Sequence, residues 1–489
     1  MTSAPEGETV AEQGARRLRH RRGSSGDLFG RGMLYVLIWS MQMIVATVVS
    51  PFLVRLMSVP DFGSLAASIA LYQLLLIVIV FGLDHALEMQ RVEDLHDDRG
   101  ARTLVAAGIV ASLVVTGLAA STSAGWGPVL GFSSHTLVLL TMAWTAPGAS
   151  VLLALSLLQA EDRLLRFSVV SLVSTVGGQL IGITLLLTHA RSPETYLLGN
   201  VIAQWTALAL GCFWTRPRLR GLFDRVLVGR ALRLGVPLVL MNLSEYALTA
   251  GDRFVIQRVL GQAQVARYQV AFTVGNAVAL VLTFTNRSWL PRLKSIVDPA
   301  QRMQVIAASR DGMFVLTGWA ALGITIAAPA LLRVFAPSSY DLGPLVLVVA
   351  LVVLGALPVA AAVASSQQLV TTRWSVPLAW GAAAAVVVKV VVTGGLLQLW
   401  GINAAALGTL AALLAQAVVL RLAVSRRHVV TRSRPKVLAF IGVVVVGCLG
   451  SVLLPQTMSW NVLRFAVAVG CLAPFALALR RLQRGLDDA

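Results

Sequence analysis

The apolar stretch YLLGNVIAQWTALALGCFW (residues 196–214) is followed by the basic stretch TRPRLRGLFDRVLVGRALR (215–233) and then by a second apolar stretch, LGVPLVLMNLSEYALTAGDRFVI (234–256). Each apolar stretch has about the twenty residues that a helix needs to cross the hydrocarbon core of a bilayer. The stretch between them carries six arginines, and basic residues are retained on the cytoplasmic side of membrane proteins. These 61 residues therefore predict two membrane helices joined by a cytoplasmic linker.

The composition extends this interpretation to the whole chain. Of its 489 residues, 57% are hydrophobic and 13% are charged, and the mean hydropathy is +0.79. In soluble domains about 45–50% of the residues are apolar and about 25% are charged. A soluble globular enzyme is thereby excluded. We attribute the net charge of +18 to membrane topology rather than to nucleic acid. The three cysteines are odd in number and have no ligand-like spacing, so neither disulfides nor a metal site are predicted.

Stretches of membrane-spanning length recur along the sequence and predict an all-α, polytopic membrane protein with about 14 transmembrane helices. They lie at 33–54, 62–83, 103–120, 137–158, 167–188, 196–214, 234–256, 266–284, 312–335, 342–364, 376–397, 402–420, 437–454 and 462–479.

The spans group into two lobes of six helices and a C-terminal helix pair. The predicted segments are a disordered basic cytoplasmic tail (1–32), a first lobe (33–214), a basic cytoplasmic linker (215–233), a second lobe (234–420), a second basic linker (421–436), the helix pair (437–479) and a cytoplasmic tail (480–489). The N-terminal tail (1–32) lacks the apolar core and the cleavage site of a signal peptide.

The positions of the basic residues test this division. With the N-terminus inside, 32 of the 40 Lys and Arg residues fall on inside segments, as expected for cytoplasmic loops. If one span too many or too few had been assigned, the Lys and Arg residues would be distributed over both faces of the membrane. Both termini are therefore predicted to be cytoplasmic, in the cytoplasmic (inner or plasma) membrane.

The two lobes resemble an internal repeat. Without gaps, an offset of 203 residues aligns Arg55 with Arg258, Phe81 with Phe284 and Leu87 with Leu290. Because each unit has an even number of spans, both copies would insert in the same orientation, as a parallel repeat about an axis along the membrane normal. Such a pair of bundles encloses a central cleft.

Polar residues inside spans are costly and indicate function or a buried partner. In the seventh span Asn242, Glu245, Thr249 and Asp252 recur at helical spacing and predict one polar stripe. The eighth span predicts a second stripe, with Gln269, Thr273, Asn276, Thr283 and Arg287. A shared aqueous cavity would explain both stripes; hydrogen bonds across a dry helix interface are the alternative.

Three cations are candidate ligands of an anionic substrate in this cavity: Arg253, Arg287 and Lys389. Lys389 lies in the run AAAAVVVKVVV (382–392) and needs a carboxylate or an anionic ligand at that depth. Its candidate carboxylate partners are Glu245 and Asp252, and a purely structural ion pair is as compatible with the sequence as ligand binding. Asn242, Gln269 and Asn276 complete the predicted cavity.

No catalytic motif accompanies these residues. The sequence has no Walker-type loop and no paired nucleophile and base, so we predict a protein that is not an enzyme and has no cofactor. If the protein transports the substrate of this cavity, an ion gradient or consumption of the transported product would drive the process. Glu245 and Asp252 are then the candidate sites for a coupling H⁺ or Na⁺.

The segment GDRFVIQRVLGQAQVARYQVAFTVGNAVALVLTFTNRSWLPRL (251–293) resembles the Wzx-type oligosaccharide flippases of the multidrug/oligosaccharidyl-lipid/polysaccharide exporter (MOP) superfamily. The residues that match the pattern of that family are Asp252, Arg253, Gly261, Tyr268 and Ala271. In the first half, VPDFG (59–63) and GLD (82–84) are also similar to it. The layout of spans extends the resemblance over essentially the whole chain.

The resemblance implies translocation of a polyprenyl-diphosphate-linked oligosaccharide across the membrane during surface polysaccharide synthesis. It also implies membrane lipids, a polysaccharide polymerase and glycosyltransferases as partners, and no nucleic acid. The alternatives are, in order, a flippase for lipid II (the peptidoglycan precursor), a cation-coupled multidrug exporter and a non-transporting membrane scaffold.

Overall fold

The computed structural model describes residues 44–93, 99–220, 225–279, 298–372, 376–427 and 433–487, together with positions 34, 35, 38, 41, 282 and 374. In these ranges the chain is helical, and the predicted all-α, multi-pass membrane architecture is confirmed. We number the described helices in chain order.

The described residues of the first half form nine α-helices. They are α1 (Ile44–Leu56), α2 (Val59–Val80), α3 (Leu83–Glu93), α4 (Arg99–Ser121), α5 (Ser123–Val129), α6 (His135–Ala160), α7 (Leu164–Leu172), α8 (Gly178–Thr188) and α9 (Pro193–Thr215). A π-helical turn, Val173–Gly177, joins α7 to α8 into one continuous span.

The second half contains eleven α-helices among the described residues. They are α10 (Arg225–Thr249), α11 (Asp252–Leu260), α12 (Gln262–Gly275), α13 (Pro299–Phe335), α14 (Leu342–Leu354), α15 (Ala356–Thr371), α16 (Val376–Trp400), α17 (Ile402–Arg427), α18 (Pro435–Val452), α19 (Met458–Gly470) and α20 (Leu472–Asp487).

Local sequence explains where several helices begin. Ser58 accepts a hydrogen bond from the backbone N–H of Asp61 at the start of α2, and Ser192 accepts one from Thr195 at the start of α9. Both helices also have a proline in their first turn, where its missing N–H costs no helical hydrogen bond. The cap therefore fixes the point at which each chain segment enters the helix.

Eleven helical segments in the described ranges are long and apolar enough to span a membrane. They coincide with the second to sixth and the ninth to fourteenth predicted spans. The first span is described as the shorter helix α1, and the seventh is divided between α10 and α11. The eighth is described continuously only as far as residue 279. The predicted count of fourteen is therefore not confirmed.

The seventh span differs from its prediction. Helix α10 ends at Thr249 and α11 begins at Asp252, with a break at Ala250–Gly251. Asp252 is buried, whereas Glu245 is exposed. The four residues expected to form one polar stripe, from Asn242 to Asp252, therefore do not share one environment.

Each half packs around a buried helical segment. Helix α6 contacts α4 and α9 in the first half, and α14–α15 contacts α13 and α17 in the second. Following the predicted division, we call α1–α9 the first lobe and α10–α17 the second lobe. Helices α18–α20 pack mainly on α13.

The lobes meet along α2 and α12, and the meeting point follows the predicted repeat. Helix α2 begins at residue 59 and α12 at residue 262, which is the offset of 203. A Cβ atom on Gly63 would lie 1.9 Å from the backbone oxygen of Gln262 and 3.2 Å from the backbone nitrogen of Ala266. Gly63 and Ala266 are equivalent positions in the repeat, so the lobes cross close to their symmetry axis.

Candidate substrate cavity and buried ion pair

A cavity of about 390 Å³ lies between the two lobes. It is lined by residues of α1, α2, α8 and α9 on one side and by the α10–α11 break and α12 on the other. The lining residues are Ala46, Thr47, Ser50, Leu53, Phe62, Ala66, Ile69, Ala70, Gln73, Gln179, Tyr196, Thr249, Ala250, Arg253, Gln269, Phe272, Thr273, Asn276 and Ala277.

The repeat relates the two walls of the cavity. Seven lining residues of the first lobe (Ala46, Thr47, Ser50, Ala66, Ile69, Ala70 and Gln73) coincide, at the offset of 203, with seven of the second lobe (Thr249, Ala250, Arg253, Gln269, Phe272, Thr273 and Asn276). The chemistry of the two walls differs: Ser50 corresponds to Arg253, and Ala66 to Gln269. Both lobes therefore supply hydrogen-bonding groups, and the charged lining residue, Arg253, comes from the second lobe.

Arg253 is held in a fixed position at the cavity wall. Its Nε and Nη2 atoms donate to Gln269 Oε1 at 3.0 and 2.9 Å, and Nη1 donates to the carbonyl of Thr249. The guanidinium carbon lies 4.4 Å from the centroid of the Phe272 ring, a distance at which cation and ring attract each other. The charge is thus presented to the cavity without freedom to move away.

The cavity lining mixes polar with apolar side chains and carries a positive charge. Hydroxyl and amide groups from both lobes line it beside Arg253 and, among the lining residues that the structure describes, none is Asp or Glu. Hydroxyls and amides exchange hydrogen bonds with sugars, and a guanidinium binds phosphate through charge-assisted bonds. The lining suits a neutral or anionic polar group and disfavours a cation.

A second polar site lies behind this wall. Lys389 Nζ is 2.9 Å from Asp252 Oδ2, and the two side chains are 6% and 2% exposed. Helix α16 thereby contacts the N-terminal residue of α11. Of the two carboxylates proposed for Lys389, the structure pairs it with Asp252.

Neighbouring groups complete the hydrogen bonding of this pair. Asp252 Oδ2 accepts from the hydroxyl of Tyr268 at 2.8 Å and from that of Thr409 at 3.2 Å, while Lys389 Nζ donates to the carbonyl of Leu248 at 2.6 Å. Five helices of the second lobe, α10, α11, α12, α16 and α17, are held together at this point.

The other predicted residues lie in different environments. Gln269 and Asn276 line the cavity. Asn242 is half-buried and Glu245 exposed, and neither is among the residues lining the cavity. Arg287 lies outside the described residues.

Sequence reasoning missed the first-lobe side of the cavity. Gln73 and Gln179 line it, with Thr47 and Ser50, and Gln179 accepts a hydrogen bond from the Tyr196 hydroxyl. One signal was available, since Gln73 corresponds to Asn276 in the repeat. Tyr268 and Thr409 were also not predicted as partners of Asp252, because no spacing in the sequence links α17 to α11.

Three solved structures share this fold at low sequence identity. The lipid II flippase MurJ, in an inward closed conformation, matches with a TM-score of 0.65 and 11% identity, over 91% of this chain and 99% of that chain. An inward-facing multidrug resistance MATE family transporter of the MOP superfamily matches with a TM-score of 0.56 and 14% identity, over 79% and 95%. The Vibrio cholerae MATE transporter VcmN, in its bent form, matches with a TM-score of 0.53 and 13% identity, over 85% of this chain and 98% of that chain.

The architecture and the central cavity define a multi-pass membrane protein with the fold of the MOP superfamily of flippases and exporters. A family model described as "Polysaccharide biosynthesis protein" matches residues 52–309, and the chain belongs to that family. The matched range includes most of the residues that line the cavity. No curated protein matches the sequence.

Proposed function

We propose that this protein moves a polyprenyl-diphosphate-linked oligosaccharide from the cytoplasmic to the outer leaflet of the cytoplasmic membrane, for surface polysaccharide synthesis. The proposal rests above all on the lining of the central cavity, where hydroxyl and amide groups surround one immobilised arginine. It agrees with the polysaccharide biosynthesis family of the chain. A cation-coupled drug exporter fits this lining less well, because Arg253 would repel a cationic drug.

In this proposal Arg253 contacts the diphosphate, and Gln269, Asn276 and Gln73 bind the first sugars. The polyprenyl chain would stay in the bilayer. The cavity volume of about 390 Å³ is near the lower end of the range for small-molecule binding sites, about 300–1,000 Å³. An oligosaccharide therefore requires the lobes to separate, as alternating access provides.

A coupling ion, H⁺ or Na⁺, would act at Asp252 by competing with Lys389. Protonation of Asp252, or occupation of its carboxylate by Na⁺, would release the ammonium group and loosen α16 from α11. Glu245, which is exposed, stays a second candidate for this role. Replacement of Asp252 by Asn should then remove the dependence of transport on the ion gradient.

The test is to extract and identify the lipid-linked sugars of cells that lack the protein. An impermeant sugar-modifying enzyme shows on which side of the membrane these sugars lie. We expect a polyprenyl-diphosphate oligosaccharide to accumulate on the cytoplasmic side and to be cleared by the intact gene and by Arg258→Ala. Arg258 is the matched control because it is exposed on the same helix α11 and lies outside the cavity lining. Arg253→Ala should fail to clear the pool.

The same extraction separates the alternatives. Accumulation of lipid II instead of an oligosaccharide would assign the protein to peptidoglycan synthesis. An unchanged lipid-linked pool combined with new sensitivity to amphiphilic drugs would contradict the flippase proposal and favour a drug exporter.

A further inference from the structure

Helices α17 and α18 leave a second, larger cleft between them. It has a volume of about 1290 Å³ and shares no lining residue with the central cavity. Residues of α14 and α15, among them Leu351, Leu354 and Leu357, line it between the two helices. Apart from three arginines, Ser365 and Ser433, the described lining residues are apolar.

The cleft opens on the outside of the second lobe. Leu414, Val418 and Leu422 on α17 and Leu438 and Leu449 on α18 line it and are 41–57% exposed. Its lining extends along α18 from residue 435 to residue 449, about 20 Å of helix. One leaflet contributes about 15 Å of hydrocarbon, so the cleft is deep enough for acyl chains of a single leaflet.

One end of the cleft is cationic. Arg310, Arg421 and Arg434 line it there, at the end of the lobe that the distribution of basic residues assigns to the cytoplasm. Asp311 pairs with Arg310 at 3.1 Å and accepts the backbone N–H of Arg434 at 3.1 Å. The guanidinium groups of Arg310 and Arg421 are close enough to repel each other. Three of the described residues that line this end are therefore cationic, and none of the described lining residues is Asp or Glu.

We propose that this cleft binds an anionic phospholipid of the inner leaflet. The phosphate would lie between the arginines, which bind phosphate oxygens in pairs, and the acyl chains would fill the apolar part. Basic pockets between membrane helices at the cytoplasmic surface recognise anionic head groups in this way. The bound lipid would connect α13 and α17 to α18, and thereby hold the C-terminal helices on the second lobe.

The lining favours a bilayer phospholipid over the transported substrate. The described residues offer two serine hydroxyls and no amide side chain for sugars, and the cleft does not share its lining with the central cavity. Charge complementarity therefore points to a small anionic head group. This inference does not depend on the proposed transport function.

Native mass spectrometry of the detergent-solubilised full chain tests the site, with dioleoyl phosphatidylglycerol, dioleoyl phosphatidylcholine and undecaprenyl phosphate as separate probes. We expect the protein to retain phosphatidylglycerol and to lose phosphatidylcholine. Arg421→Gln/Arg434→Gln should reduce retention of phosphatidylglycerol roughly tenfold, as expected for loss of a charge-assisted phosphate contact. Arg426→Gln is the matched control, since Arg426 is exposed on the same helix α17 and does not line the cleft.

A second variant keeps the test decisive if the double variant does not fold. Val418→Trp adds bulk to the cleft at a position that is 54% exposed and should also displace phosphatidylglycerol. Equal retention of both phospholipids, or equal retention by Arg426→Gln and the double variant, would overturn the proposal. Displacement of phosphatidylglycerol by undecaprenyl phosphate would instead assign the cleft to the substrate lipid. Formation of a dimer when the lipid dissociates would assign the cleft to a second copy of the chain.

Discussion

The ion pair between Asp252 and Lys389 is the most deeply buried charge pair described in the second lobe. Lys389→Met would leave Asp252 buried without its cation, and removal of one partner of such a pair costs about 3–5 kcal/mol. We expect a lower unfolding temperature in detergent, measured by intrinsic fluorescence. Asp252→Asn/Lys389→Met should recover part of the loss, because no charge is then left unpaired.

Lys436→Met provides the control for this comparison, since Lys436 is exposed at the start of α18. It should leave the unfolding temperature unchanged. If Lys389→Met proved as stable as Lys436→Met, the pair would not hold α16 to α11.

Gln73 and Asn276 are equivalent residues on opposite walls of the cavity. Gln73→Leu and Asn276→Leu each remove a group that would hydrogen-bond a sugar, at a cost of about 1 kcal/mol or more in binding. We expect a roughly fivefold to tenfold lower rate of transport, measured in vesicles with a labelled lipid-linked oligosaccharide. Gln398→Leu, at an exposed position of α16, should transport normally, and equal rates for all three would exclude the cavity from sugar binding.

The residues of the cavity were predicted unevenly from the sequence. A lysine in a valine run requires a buried partner, which restricted the choice for Lys389 to Glu245 and Asp252. The structure decides between them, because Asp252 is buried beside Lys389 and Glu245 is exposed. The sequence alone does not separate the two carboxylates, since residues seven positions apart share one face of an unbroken helix.

At the scale of the helices, the position and length of the apolar spans were predicted well. The eleven segments that meet the criteria of length and apolarity match eleven predicted spans. Helices α2 and α9 are among them although both contribute residues to the cavity lining, so polar lining positions did not hide these spans. The division of the seventh span into α10 and α11 was not predicted.

The crossing of α2 and α12 leaves no room for a side chain at Gly63. Gly63→Leu would drive its side chain into the backbone of Gln262, since a Cβ atom there is already 1.9 Å from the Gln262 oxygen. We expect the lobes to separate at this end. Ser50→Cys, on the cavity wall, should then react faster with an impermeant thiol reagent in a variant without the native cysteines.

Gly125→Leu is the control for Gly63→Leu, because a Cβ atom at Gly125 would have no neighbour within 4 Å. It should leave the reactivity of Ser50→Cys unchanged. Unchanged reactivity in Gly63→Leu as well would show that this crossing does not close the cavity.

Taken as a whole, the molecule is held closed at its predicted outer end by contacts between the lobes. Gln262 Nε2 donates to Ser133 Oγ at 2.9 Å, Gln257 Nε2 donates to the carbonyl of Leu130 at 3.4 Å, and Arg55 donates to the carbonyl of Val334. Alternating access requires these contacts to break in each cycle. A covalent link across them should therefore stop transport.

We expect Ser133→Cys/Gln262→Cys, joined by a short reducible thiol crosslinker in a variant without the native cysteines, to lose transport and to regain it on reduction. The matched control is Ser134→Cys/Glu194→Cys, whose parent side chains lie 3.0 Å apart within the first lobe. This pair should crosslink equally well and transport normally, because a link inside one lobe moves with it as a rigid body. Full transport by the crosslinked Ser133→Cys/Gln262→Cys protein would mean that substrate passes without separation of the lobes at this end.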